Sequence, residues 1–178
     1  QPRSRGLGDV YKRQVHYKGL DPVAWLCNFR PSPEIINEVG LDLSKHRIVI
    51  RETETYASYL KFLNKTLTPV SDSILSRLIE ILGDDAQFII VPRYEEQVKY
   101  LKKRYGSESV IILDKVVDGA NLLYYSTILI GGGGTMNAEA ALLGKPVISM
   151  YPGKTTWIED YLIRNKLVFR PSLSLIHI

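Results

Sequence analysis

Five apolar, β-branched runs, each followed by a stretch of helical character, predict an α/β domain with a Rossmann-like doubly wound parallel sheet. The runs do not alternate with polar residues, so their strands are buried on both faces, as in a parallel sheet between two helical layers. A third observation is the run of four glycines, Gly131 to Gly134, placed where the fourth strand should turn into a helix.

Taken in order, "VHYKGLDPVAWLCNFR" (15–30) shows no clean period. "PSPEIINEVGLDLSKH" places Pro33 near the start of a short helix and Gly40 near its end. "RIVI" (47–50) is strand 1 and leads into a long polar and aromatic region. "SDSILSRLIEILG" is a helix with Ser71 or Ser73 as its cap and Gly83 as its stop. "QFIIVP" (87–92) precedes the charged helix "YEEQVKYLKKRYG", whose Val98 and Leu101 face inward. "SVIILD" (109–114) precedes "VDGANLLYYS", and "TILI" (127–130) precedes the glycines and "TMNAEAALLG". "PVISMY" (146–151) precedes "TTWIEDYLIRNK".

The ends are of another kind. "SRGLGDVYKRQ" (4–14) and "LSLIHI" (173–178) read as translations of opposite strands of one transposon-end sequencing adapter. Residues 1–14 and 173–178 are therefore expected to be foreign to the natural chain. Arg3, Arg5, Lys12 and Arg13 against Asp9 contribute +3 of the formal +4, so the rest is near +1. That balance removes the case for a nucleic-acid partner. One cysteine, Cys27, excludes an internal disulfide framework. No apolar run approaches the roughly 18 residues of a membrane span, and cytoplasmic is the default location.

In the six-strand version of this fold the order is 3-2-1-4-5-6, and ligands bind beyond the carboxyl ends of neighbouring strands 1 and 4. Arg51 leaves strand 1, and Gly131 to Gly134 leave strand 4. Glycines let the main chain approach a ligand closely. The helix starting near Thr135 points its positive N-terminus at the same spot, a site for phosphate with Arg51 as a second anchor. Four glycines exceed what a turn requires, although close helix packing is the bland alternative. The P-loop pattern GxxxxGK[ST] is absent, and G-x-G-x-x-G fails because Met136 or Asn137 stands where its third glycine belongs. Glu139 lies in the first turn or two of that helix. It suits a pair of ribose hydroxyls, or merely complements the helix dipole.

"GGGGTMNAEAALLGKPVI" resembles the donor-binding segment of GT-B proteins, notably UDP-N-acetylglucosamine 2-epimerases and the glycosyltransferase that makes lipid II. Their "E-A-x-x-x-G-x-P" context is matched by Glu139, Ala140, Gly144 and Pro146. The resemblance implies that Glu139 holds ribose hydroxyls and that the glycine turn holds a diphosphate. "YKGL" (17–20), "NFRPSP" (28–33), "VPRY" (91–94) and the glycine segment together resemble a largely archaeal GT-B-like family, domain of unknown function 354. This implies the C-terminal half of a two-domain GT-B protein whose N-terminal domain is missing. Residues 15–45 would be an interdomain segment and 46–172 the nucleotide-sugar-binding domain. Beyond Pro152, "GKTTWIEDYL" departs from the epimerases' pattern.

Arg93 and Tyr94 leave strand 2 at the same edge and either line the cleft or form a solvated pair. Lys154 could reach a phosphate, while Thr155 or Thr156 suits a helix cap better than a ligand contact. Trp157 either stacks on substrate or packs on its helix. His16 and His46 have no supporting cluster, so no metal is expected, and Cys27 reads as structural.

The leading expectation is half of a glycosyltransferase or epimerase-like enzyme, inactive alone, with no catalytic residue assignable. Its substrate would be a nucleotide-diphosphate sugar, with no cofactor. The missing domain of the same chain is the expected partner, and a homodimer stays open. The alternative is a non-catalytic nucleotide- or anion-binding regulatory domain.

Overall fold

The computed structural model describes residues 17–54, 70–106 and 109–171. Five strands form one all-parallel sheet: β1 (His46–Arg51), β2 (Ala86–Val91), β3 (Val110–Ile112), β4 (Ile128–Gly131) and β5 (Val147–Ser149). Their order is β3-β2-β1-β4-β5, so the direction of winding reverses between β1 and β4. An isolated parallel bridge from Ile148 to Phe169 takes the sixth position beyond β5.

The uniformly apolar strands are explained by what covers them. On one face Val49, Ile89 and Leu129 pack with residues of α2 (Glu34–Val39), α5 (Gly119–Tyr124), α6 (Thr135–Leu142) and α7 (Trp157–Arg164). On the other, Ile48, Ile50, Phe88 and Ile90 pack with Val70 and Leu75 of α3 (Val70–Leu82) and Leu101 of α4 (Glu95–Tyr105). A short helix, α1 (Val23–Leu26), lies in the stretch that shows no sequence period. Among the described residues, no helix is long and apolar enough to cross a membrane.

One expected cap is corrected. Ser71 stands inside α3, and the carboxylate of Glu52 receives the backbone N–H groups of Val70 (2.8 Å) and Ser71 (3.1 Å) as well as the Ser71 hydroxyl. A fully buried carboxylate satisfies several orphan donors at once, which no single hydroxyl does. The side chain of Ser73 lies outside the described residues, as do His16 and both terminal segments. Gly83 does end α3, in a 3-10 turn over Gly83–Asp85.

Candidate functional site

The carboxyl ends of β1 and β4 meet with Arg51 opposite Gly131. The Gly132 N–H donates to the Arg51 carbonyl (3.0 Å), and the Gly131 carbonyl accepts from Met150 N–H (2.8 Å). The glycine run is thus pinned to strands on both sides. A Cβ on Gly131 would run into the side-chain amide of Asn137, and one on Gly132 would stand 2.6 Å from Thr53 Cα. Gly133 and Gly134 have φ of +91° and +94°, which side-chain-bearing residues rarely adopt. Packing therefore requires two of the glycines and backbone conformation the other two. The number of glycines does not by itself report a ligand.

What does point to one is the start of α6. Gly134 occupies the N-cap position, is exposed, and offers no side chain to the first-turn N–H groups. Two cavities open around this turn, and Gly133, Gly134, Thr135 and Tyr151 line both. The larger, about 840 Å³, runs between the turn, Asp21 and Pro22 before α1, and Ile158, Leu162 and Val168. Its size falls within the range of small-molecule sites. The smaller, about 180 Å³, has Thr53, Glu54 and Arg93 in its wall.

The two arginines behave differently. Arg51 turns its guanidinium toward the end of β2, donating from Nη1 to the carbonyls of Val91 (3.2 Å) and Pro92 (2.7 Å). Burial, followed by the charge of Arg93, pulls its pKa down to about 10, so it stays cationic at neutral pH. Arg93 is the arginine that reaches the glycine turn, with Nη2 3.8 Å from where a Gly134 Cβ would be. Its Nε donates to the Glu52 carbonyl (2.8 Å), and Glu54 lies 3.6 Å from Nη1.

Glu139 stands one helical turn after Thr135, on the same side of α6, and lines neither cavity. Its carboxylate accepts a hydrogen bond from the indole Nε1 of Trp25 (3.0 Å), from 114 residues earlier in the chain. Burial raises its pKa, the Trp25 hydrogen bond lowers it, and the charge of Asp118 raises it again. Asn137, absent from the sequence expectations, is 4% exposed, lines the large cavity, and among the described residues has no hydrogen-bond partner for either side-chain polar atom. A lone amide among the alanines of "TMNAEAALL" was the available signal.

Lys154 is exposed on the wall of the large cavity. Thr156, rather than Thr155, caps α7, its hydroxyl accepting from Glu159 N–H (3.2 Å). Tyr94 takes the N-cap position of α4 and lines neither cavity. Trp157 is 92% exposed and so does not pack on its helix. Cys27 is exposed at the end of α1 rather than built into a core. His46 opens β1 at the opposite end of the sheet from the glycine turn.

Similarities to known proteins follow the same lines. S. aureus MnaA in a structure with UDP superposes with a TM-score of 0.55 at 15% identity, over 80% of this chain and 35% of that one. The C-terminal CMP-Kdo binding domain of WaaA from Acinetobacter baumannii gives 0.52 at 16% identity, over 78% of this chain and 79% of that one. The fold is thus the Rossmann-like α/β domain of GT-B proteins, an architecture shared by glycosyltransferases and UDP-N-acetylglucosamine 2-epimerases. The chain belongs to the family described as Protein of unknown function (DUF354), whose model matches residues 6–173. Uncharacterized protein MJ0665 of Methanocaldococcus jannaschii is 32% identical over 132 residues, 74% of this chain. This chain spans 36% of the length of that relative.

Proposed function

We propose that this chain is the nucleotide-diphosphate-sugar-binding half of a GT-B-type glycosyltransferase or epimerase-like enzyme. The observation that carries the reading is the uncapped N-terminus of α6, open between two cavities with Arg93 beside it. Backbone N–H groups and the helix dipole favour an anion there, and a guanidinium adds a charged donor. Thr135 and Glu139 are four residues apart, about 6 Å along the helix. A diphosphate at the first therefore brings a ribose within reach of the second. The large cavity offers room for the nucleoside.

In a transferase the diphosphate is the leaving group, and its growing charge would be stabilised by the turn's N–H groups and Arg93, with Arg51 contributing from behind. In an epimerase the same contacts would serve elimination and re-addition of the nucleotide diphosphate. The acceptor side would belong to sequence beyond this domain, consistent with the length of the archaeal relative.

Calorimetric titration with UDP, UDP-N-acetylglucosamine, GDP, ADP and NAD tests the reading. One nucleoside diphosphate or its sugar is expected to bind, and Glu139→Ala to weaken it about ten- to a hundredfold, the loss of hydrogen bonds to a charged group. A folded protein that binds none of the panel contradicts the proposal.

A further inference from the structure

We propose that Trp25 is the positioning residue for Glu139: its indole N–H holds one carboxylate oxygen and leaves the other to the ligand. The inference rests on the reading of Glu139 given above and adds the part of the chain that controls it. Among the described residues, Trp25 Nε1 is the hydrogen-bond partner of this half-buried carboxylate.

The chemistry of the donor matters. An arginine or lysine in that place would neutralise Glu139. The indole is a neutral, single donor, so the carboxylate keeps its charge and most of its roughly four lone-pair sites. A pair of ribose hydroxyls, which must donate, needs those sites. The neighbouring charge works the other way. Asp118, at the N-cap of α5, raises the Glu139 pKa further. The indole N–H therefore works to keep Glu139 ionised against burial and a neighbouring negative charge.

The same segment also walls the site. Asp21 and Pro22, immediately before α1, line the large cavity, and Asp21 accepts a hydrogen bond from Tyr17. The segment that forms part of the nucleoside's wall thus also sets the orientation and charge of the group that would hold the ribose.

The test uses the whole chain with Trp157→Phe, which removes an exposed indole and leaves Trp25 as the only tryptophan. Trp25 emission is expected to titrate with Glu139, at a midpoint above the ordinary glutamate range, and Glu139→Gln is expected to abolish that titration. Emission that ignores Glu139→Gln overturns the contact. In parallel, UDP affinity is measured against pH for the wild type and Trp25→Phe, which keeps an aromatic ring and loses the donor. Trp25→Phe is expected to bind UDP about five- to tenfold more weakly at neutral pH. Its affinity should also be lost at a higher pH on acidification. Equal or tighter binding with an unmoved pH profile overturns the inference, even where Glu139→Ala still weakens UDP. A wild type that binds no nucleotide while Trp25 still titrates with Glu139 locates the failure in the functional reading instead, and the positioning role falls with it.

Discussion

Removing the carboxylate of Glu52 should be among the most damaging single changes to this fold. Glu52 is fully buried and receives two backbone N–H groups and the Ser71 hydroxyl at the start of α3, while its own carbonyl holds Arg93. Glu52→Ala takes the buried acceptor from the two N–H groups and the hydroxyl, while the backbone carbonyl that holds Arg93 remains. Each hydrogen bond to a charged group is worth about 1.5–3 kcal/mol, and a lost N-cap costs about 0.5–2 kcal/mol. These terms overlap, so the expected loss is about 3–5 kcal/mol, typical of breaking a buried charged contact. A domain of ordinary stability has about 5–15 kcal/mol in total. Glu52→Gln keeps one acceptor oxygen and should lose about half as much, because its NH₂ must face a donor. Urea unfolding followed by circular dichroism reads both variants, with the m-value reporting whether the same surface is exposed. A Glu52→Ala protein within about 0.5 kcal/mol of wild type would refute the reasoning, since that is the range of an ordinary surface substitution.

Further outcomes follow from the same geometry. Gly134→Ala has room for its methyl group but not the backbone conformation, so it should cost about 1–3 kcal/mol in urea unfolding and weaken nucleotide binding as well. Arg93→Ala should weaken UDP about tenfold or more, and Arg93→Lys should recover only part of this because the planar fork is lost; calorimetry reads both. The pKa of Glu139 is raised by burial, so its contribution to stability is fully present below the unfolded pKa and is lost as pH rises through the folded one. Glu139→Gln should therefore be more stable than wild type at neutral pH, with the gain shrinking at acid pH. Thermal unfolding at several pH values checks the sign.

The architecture was legible because both layers of helices force every strand to be apolar throughout. Runs such as "QFIIVP" and "TILI" therefore stand out without alternation. The stops were legible where Gly40 and Gly83 end helices. The candidate site was legible as a place, the adjoining carboxyl ends of β1 and β4, and less so as a set of contacts. Sequence puts Arg51 at the right edge, but only packing turns its guanidinium toward the carbonyls of β2 and leaves Arg93 at the glycines. The cap of α3 comes from Glu52, 18 residues before it, which local pattern cannot show. The Trp25–Glu139 bond is the extreme case. It joins a four-residue helix without sequence period to a residue 114 positions away.

The most direct test of the account is the map of backbone amide shifts in ¹⁵N-labelled protein titrated with UDP. The amides of Gly133, Gly134 and Thr135 should shift first and furthest, with the Trp25 indole N–H moving alongside them. Saturable binding that leaves those amides unmoved and shifts another surface would contradict it.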